Sequence, residues 1–179
     1  SGVKIGAISS NKIIESTSKF LDKFTKIPVV IDPIIEAGGG GKFMKKQNIN
    51  FSLKKLYPQA TLLTPNLNEL KILSGCKTEK DSISSLLDLG IKNIFVTGKL
   101  RKNEVISTLF INGIKELDVK TKKISKTFHG SGCALSTSIL CSLIKTKDLK
   151  KSCLNANEFM RKILKNSIKT KNQDFINFS

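Results

Sequence analysis

The sequence predicts an α/β fold, a mainly parallel sheet with an antiparallel edge hairpin, flanked by helices. Three observations carry that expectation. Strand-like and helix-like segments alternate along the chain, the order that builds right-handed βαβ units. Two compact runs, Pro28-Val29-Val30-Ile31 and Asn93-Ile94-Phe95-Val96-Thr97, read as strands buried on both faces, as in a parallel sheet. Asn112-Gly113, between two weakly alternating segments, is a two-residue hairpin signal.

Taken in order, a strand is expected over 3–8. A helix follows, capped by Ser9 or Ser10, with Ile13, Ile14, Thr17, Leu21 and Phe24 as its apolar face. The strand at 28–31 ends at Asp32-Pro33, where proline cannot continue a ladder. Next comes Glu36-Ala37-Gly38-Gly39-Gly40-Gly41-Lys42, which invites comparison with the phosphate-binding pattern G-x-x-x-x-G-K-[ST]. The match fails at Glu36 and again at Phe43. Gly38, Gly39, Gly40 and Gly41 read instead as a lid loop over a site, or as a plain flexible connection. A helix over 49–55 leads to a strand over 60–63 and a helix opened by Thr64-Pro65-Asn66. A helix over 82–89 ends at Gly90, and the strand at 93–97 stops at Gly98. Segments 104–111 and 114–119 form the hairpin. A last helix carries Leu149, Cys153, Ala156, Met160, Ile163 and Leu164 on one face. Residues 169–179 read as a loose polar tail to a single domain over 1–179.

Composition narrows the function. With 39% hydrophobic and 25% charged residues in 179, the chain is an ordinary globular domain able to bury a core. No apolar run approaches the ~18–20 residues of a membrane span, and no secretory signal opens the sequence. The net charge of +17 is almost all lysine, with Arg101 and Arg161 the only arginines, and a single tyrosine and no tryptophan could stack on bases. This pattern argues against a nucleic-acid partner and for a solvated lysine-rich surface. Cys76, Cys133, Cys141 and Cys153 form no C-x-x-C pair, which argues against zinc and a disulfide framework and for the reducing cytosol.

The chemistry gathers at Phe128-His129-Gly130-Ser131-Gly132-Cys133. A glycine-rich turn opening a helix leaves backbone N–H groups unpaired, and these suit a phosphate. Leu135, Ile139, Leu140, Leu143 and Ile144 supply the helical spacing that follows. Cys133, in the first turn, is expected to have its thiol pKa lowered by the helix N-terminus. The plainer alternative is a glycine turn before a buried cysteine. Asn66 and Glu69 have the spacing of a capping box, and Glu69 could also help hold a hydrated magnesium ion near phosphates. The strand–helix order brings Asp32, Glu69, Gly98 and the 130–133 turn to the C-terminal edge of the sheet, where open α/β sheets bind ligands.

The segments V-V-I-D-P-I (29–34), T-P-N-L-N-E-L (64–70) and H-G-S-G-C-A-L-S (129–136), in this order, resemble the hydroxymethylpyrimidine/phosphomethylpyrimidine kinases, thiamine-pathway members of the ribokinase-like superfamily. The resemblance implies a ribokinase-like three-layer sandwich whose first strands precede this chain. It implies transfer of the ATP γ-phosphoryl group to a hydroxymethyl oxygen or to a monophosphate, with pyridoxal as the nearest competing acceptor. A relative that binds nucleotide without catalysis is the other alternative. Gly130, Ser131 and Gly132 would form the anion hole and Cys133 would be the general base. Asp32, Asn66 and Glu69 would order Mg2+, Glu69 through water, and Thr97 and Gly98 would meet the nucleotide. Thr97-Gly98-Lys99-Leu100 stands where the family has K-G-G-H, so its lysine is displaced or lost, and Gly41 replaces a lid aspartate. A homodimer in the cytoplasm is also implied.

Overall fold

The computed structural model describes residues 1–36, 41, 43–124, 128 and 130–165, with the backbone of 168–169 and 174–175. Six strands form one sheet in sequence order: β1 (Val3–Ile5), β2 (Val29–Ile31), β3 (Leu62–Leu63), β4 (Asn93–Arg101), β5 (Glu104–Ile111) and β6 (Ile114–Lys122). The first four are parallel, and β4, β5 and β6 are antiparallel neighbours. The mainly parallel sheet with its antiparallel edge is therefore present.

The pleat sorts the core into two layers. Val29 and Ile31, Leu63, and Ile94 with Val96 join one cluster with buried residues of α1 (Asn11–Leu21), α2 (Lys46–Lys55), α3 (Leu67–Ser74) and α4 (Glu79–Asp88). The alternate residues Val30, Leu62 and Phe95 join the other, against α5 (Ser131–Thr146) and α6 (Leu149–Lys165). Strands with apolar residues on both faces demand a helical layer on each side, and three layers result. Phe95 is fully buried at the centre of the second layer, beside Leu109 and Ile139. Phe95→Ala is expected to cost about 3–5 kcal/mol, read as a lowered urea midpoint at unchanged slope.

Several local expectations are corrected. The first strand ends at Ile5 rather than residue 8, and the third is confined to Leu62–Leu63. Ser10 occupies the N-cap of α1 but its side chain makes no capping bond. Helix α2 begins three residues before the expected start, and α4 begins at Glu79 because Thr78 caps it, its Oγ1 accepting from Asp81 N at 3.1 Å. The fourth strand does not stop at Gly98. Gly98 adopts φ +75°, the ladder shifts register between Val96 and Lys99, and pairing with β5 continues to Arg101. The glycine makes a bulge rather than an end. Helix α1 buries Ile14, Ser18 and Leu21, whereas Ile13 and Phe24, expected in the core, are exposed. Beyond α6, Ile168–Lys169 (β7) pairs antiparallel with Asp174–Phe175 (β8).

Candidate active site

The parallel strands end at one edge, where β2, β3 and β4 each bring a residue to the cavity. Asp32 follows β2, held by its N–H donating to Ile5 O at 2.9 Å. Thr64 follows β3, its N–H donating to Ile31 O at 2.9 Å and its hydroxyl to the same oxygen at 3.3 Å. The chain then turns through Pro65 into α3, and Thr97 of β4 docks alongside by donating N–H to Pro65 O at 2.9 Å. The capping box is complete: Glu69 N donates to Asn66 Oδ1 at 2.9 Å, and Asn66 N donates to Glu69 Oε2 at 2.8 Å.

Across from these ends lies the N-terminus of α5. Gly130 is its N-cap at φ +78°, a conformation that L side chains rarely adopt, and no side chain caps the helix. The first intrahelical bond is Ala134 N to Gly130 O at 2.9 Å, so the N–H groups of Ser131, Gly132 and Cys133 have no helical acceptor. A cavity of about 340 Å3 opens onto this turn and is lined by Asp32, Thr64, Asn66, Glu69, Thr97, Gly98, Gly130, Ser131, Gly132 and Cys133, with Ile34 and Leu135. Every expected phosphate, metal and nucleotide residue outside the lid therefore faces one space. A second cavity of about 420 Å3 shares Thr97, Gly98, Ser131, Gly132 and Leu135 with the first and runs between β5–β6 and α6. Its outer wall is largely apolar, with Val105, Phe128, Met160 and Leu164, and it carries Lys122 and Arg161.

Charge is the second feature. Asp32 is buried, and burial raises its carboxyl pKa above the ordinary range, although Lys4 and hydrogen bonds from Cys133 and Ser136 pull it down. Ser136 Oγ donates to Asp32 Oδ2 at 3.3 Å, and Lys4 Nζ lies 3.8 Å from the same oxygen. Burial pushes Glu69 up to about 7; the charges of Asp32 and Glu36 add to the rise, and N–H groups of Asn66 and Ile35 oppose it. Two carboxyl groups, each raised chiefly by burial, thus share a cavity. An all-oxygen donor set of this kind fits a largely hydrated magnesium ion. Among the described residues no cluster of three or more His, Cys, Asp or Glu side chains forms, so such an ion would keep most of its waters.

Cys133 corrects the expectation of a lowered thiol pKa. Burial raises it first and the Asp32 carboxylate raises it further, against a smaller opposing pull from Lys4. The helix end is present, but burial first and the Asp32 charge second raise the thiol in the free protein.

Three sequence readings fall elsewhere. His129, Gly38, Gly39 and Gly40 lie outside the described residues, and Gly41 is exposed. Lys99 does not approach the turn: its Nζ donates to Glu79 Oε1 at 2.9 Å and Oε2 at 2.6 Å, at the start of α4. Lys4 went unread as a site residue. The signal was a charged side chain flanked by apolar neighbours in a short strand, where alternation puts it opposite Val3 and Ile5.

A family model described as phosphomethylpyrimidine kinase matches residues 1–176. The hydroxymethylpyrimidine/phosphomethylpyrimidine kinase of Aquifex aeolicus (strain VF5) is 28% identical over 174 residues, which cover 94% of this chain and 68% of the relative. The pyridoxine kinase of Bacillus subtilis (strain 168) is 29% identical over 174 residues, covering 92% and 64%. An ADP complex of Bacillus subtilis pyridoxal kinase has a TM-score of 0.85 at 26% identity, covering 98% of this chain and 69% of that one. The chain spans about two thirds of the length of these relatives. With its three-layer fold, an α5 N-terminus facing two carboxyl groups and a family-model match over residues 1–176, the chain belongs to the phosphomethylpyrimidine kinase family, ribokinase-like phosphotransferases.

Proposed function

We propose that this chain carries the phosphoryl-transfer site of a kinase that uses ATP and Mg2+ to phosphorylate hydroxymethylpyrimidine, its monophosphate, or both, in thiamine biosynthesis. The observation behind this reading is the convergence of three N–H groups without an acceptor among the described residues, a cysteine and two carboxyl groups on one cavity. The nucleoside occupies the adjoining apolar cavity, with its phosphates at Thr97, Gly98, Ser131 and Gly132, four of the five residues common to both. The N–H groups of the α5 turn receive the charge that develops on the γ-phosphoryl oxygens. Asp32, Asn66 and Glu69 hold a hydrated magnesium ion, whose chemistry when bound is to neutralise phosphate charge. Cys133 accepts the proton of the acceptor hydroxyl as its oxygen bonds to the γ-phosphorus and the bond to the β-phosphate oxygen breaks, leaving ADP. Engagement of Asp32 by a cation removes one of the causes that raise the thiol pKa.

Similarity to the pyridoxine kinase relative favours pyridoxal as the second reading of the acceptor. The cytoplasmic setting of this proposal rests on the four free cysteines, and the homodimer on the family resemblance. Among the described residues no helix is long and apolar enough to cross a membrane. The test is transfer of labelled γ-phosphate from ATP to hydroxymethylpyrimidine, its monophosphate and pyridoxal, side by side. Faster labelling of the pyrimidines is expected. Faster labelling of pyridoxal would establish the second reading, and ATP binding without any transfer would leave a nucleotide-binding module in place of a kinase.

A further inference from the structure

We propose that Lys4 is a positioning residue for phosphoryl transfer, holding the Asp32 carboxylate in place beside the first turn of α5. The inference rests on the phosphotransfer reading above but concerns a residue outside the cavity lining. In β1, Val3 and Ile5 pack with the α1–α4 layer, so Lys4 points to the opposite face, where α5 lies. Its side chain is only 20% exposed. The ammonium folds back over Gly6, where an added Cβ would lie 3.0 Å from Nζ. This leaves Nζ 3.8 Å from Asp32 Oδ2, the oxygen that also accepts from Ser136 Oγ at 3.3 Å. A Cβ on Gly132 would lie 3.9 Å from that oxygen as well. Oδ2 is thus enclosed by Lys4, Ser136 and the helix turn, and Cys133 also hydrogen-bonds the Asp32 carboxyl.

As a stabilising ion pair the arrangement is poor. The separation exceeds a direct hydrogen bond, and partly burying an ammonium costs solvation that one distant carboxylate scarcely offsets. As a device for orienting a carboxylate it is efficient: Oδ2 is held between Ser136 and Lys4, which fixes the direction in which the carboxyl meets the cavity. Outer partners of this kind fix the groups that ligate cations and phosphates.

The experiment compares Lys4→Met and Lys4→Arg with the unsubstituted chain. Lys4→Met is expected to lower kcat by about 10–100-fold with the KM for ATP unchanged, and Lys4→Arg to recover most of the loss. A ligand-free crystal structure of Lys4→Met is expected to show the Asp32 carboxylate turned away from Ser136, with thermal unfolding still cooperative. An Asp32 carboxylate unmoved in that structure overturns the inference, whether or not the chain transfers phosphate. Undiminished kcat in Lys4→Met, beside an active unsubstituted chain, overturns it while leaving the phosphotransfer reading intact. Equal loss of activity and of cooperative melting in both variants makes Lys4 structural and also overturns it. A displaced carboxylate in a chain that transfers no phosphate to any acceptor defeats the phosphotransfer reading alone.

Discussion

Replacing Cys133 with alanine is expected to lower kcat by about 10²–10⁴-fold, the range spanned by a positioned general base. The cradle should survive, because its N–H groups belong to the backbone of α5 and Gly130 sets their direction through its left-handed conformation. ATP binding, measured by calorimetry, should therefore be nearly unchanged while turnover collapses. Cys133→Ser should be almost as slow, since a hydroxyl retains the geometry but is a far weaker base at neutral pH. The pH profile adds an independent check. Burial and the Asp32 charge raise the Cys133 thiol, so kcat should climb through the alkaline range rather than level off near neutrality. Asp32→Asn removes one of those two causes and should move that limb toward lower pH, alongside any loss through the metal. Turnover in Cys133→Ala equal to the parent would show that the acceptor proton leaves by another route.

The sequence made legible whatever is local or periodic. Val29–Ile31 has apolar residues at successive positions, and only a strand covered on both faces uses such a run. Asn66 and Glu69 announced a capping box by spacing alone, and Gly130 announced the turn that leaves helical N–H groups open. What escaped depends on partners far along the chain. Asp32 meets Ser136 across 104 residues, and its charge, together with burial, reverses the expected direction for Cys133. Lys99 is drawn to Glu79 on a neighbouring helix, which no short motif records. Gly98 could end a strand or bulge it, and the choice falls to the β5 ladder that resumes beyond it. Ile13 and Phe24 fit the helical period of α1, yet period identifies a stripe without saying how much of it the sheet covers.

Glu69→Gln separates the two roles that one side chain holds. Glutamine at the third helical position can still accept from Asn66 N, so the capping box and α3 should persist. Only the charge is lost. In the free protein Glu69 is raised to about 7, from 4.5 in the unfolded chain, chiefly by burial. A raised pKa means the folded state holds the proton more tightly. The associated stability is therefore complete below the unfolded value and disappears as pH rises through about 7. At about pH 8 the parent must keep a half-buried carboxylate charged, and the glutamine variant should be the more stable by on the order of 2 kcal/mol; at about pH 4 the two should melt alike. Adding Mg2+ with ATP at the higher pH should raise the melting temperature of the parent more than that of the variant. Turnover should move the opposite way from stability, falling about 10–100-fold as a ligating carboxylate is neutralised. A variant destabilised at every pH would identify Glu69 as a cap alone, whereas a stabilised variant with full turnover would place the magnesium ion on Asp32 without it. Higher stability joined to lower activity is the outcome expected of a carboxylate kept half-buried for a cation, because a residue serving only α3 has no reason to be strained by its own charge.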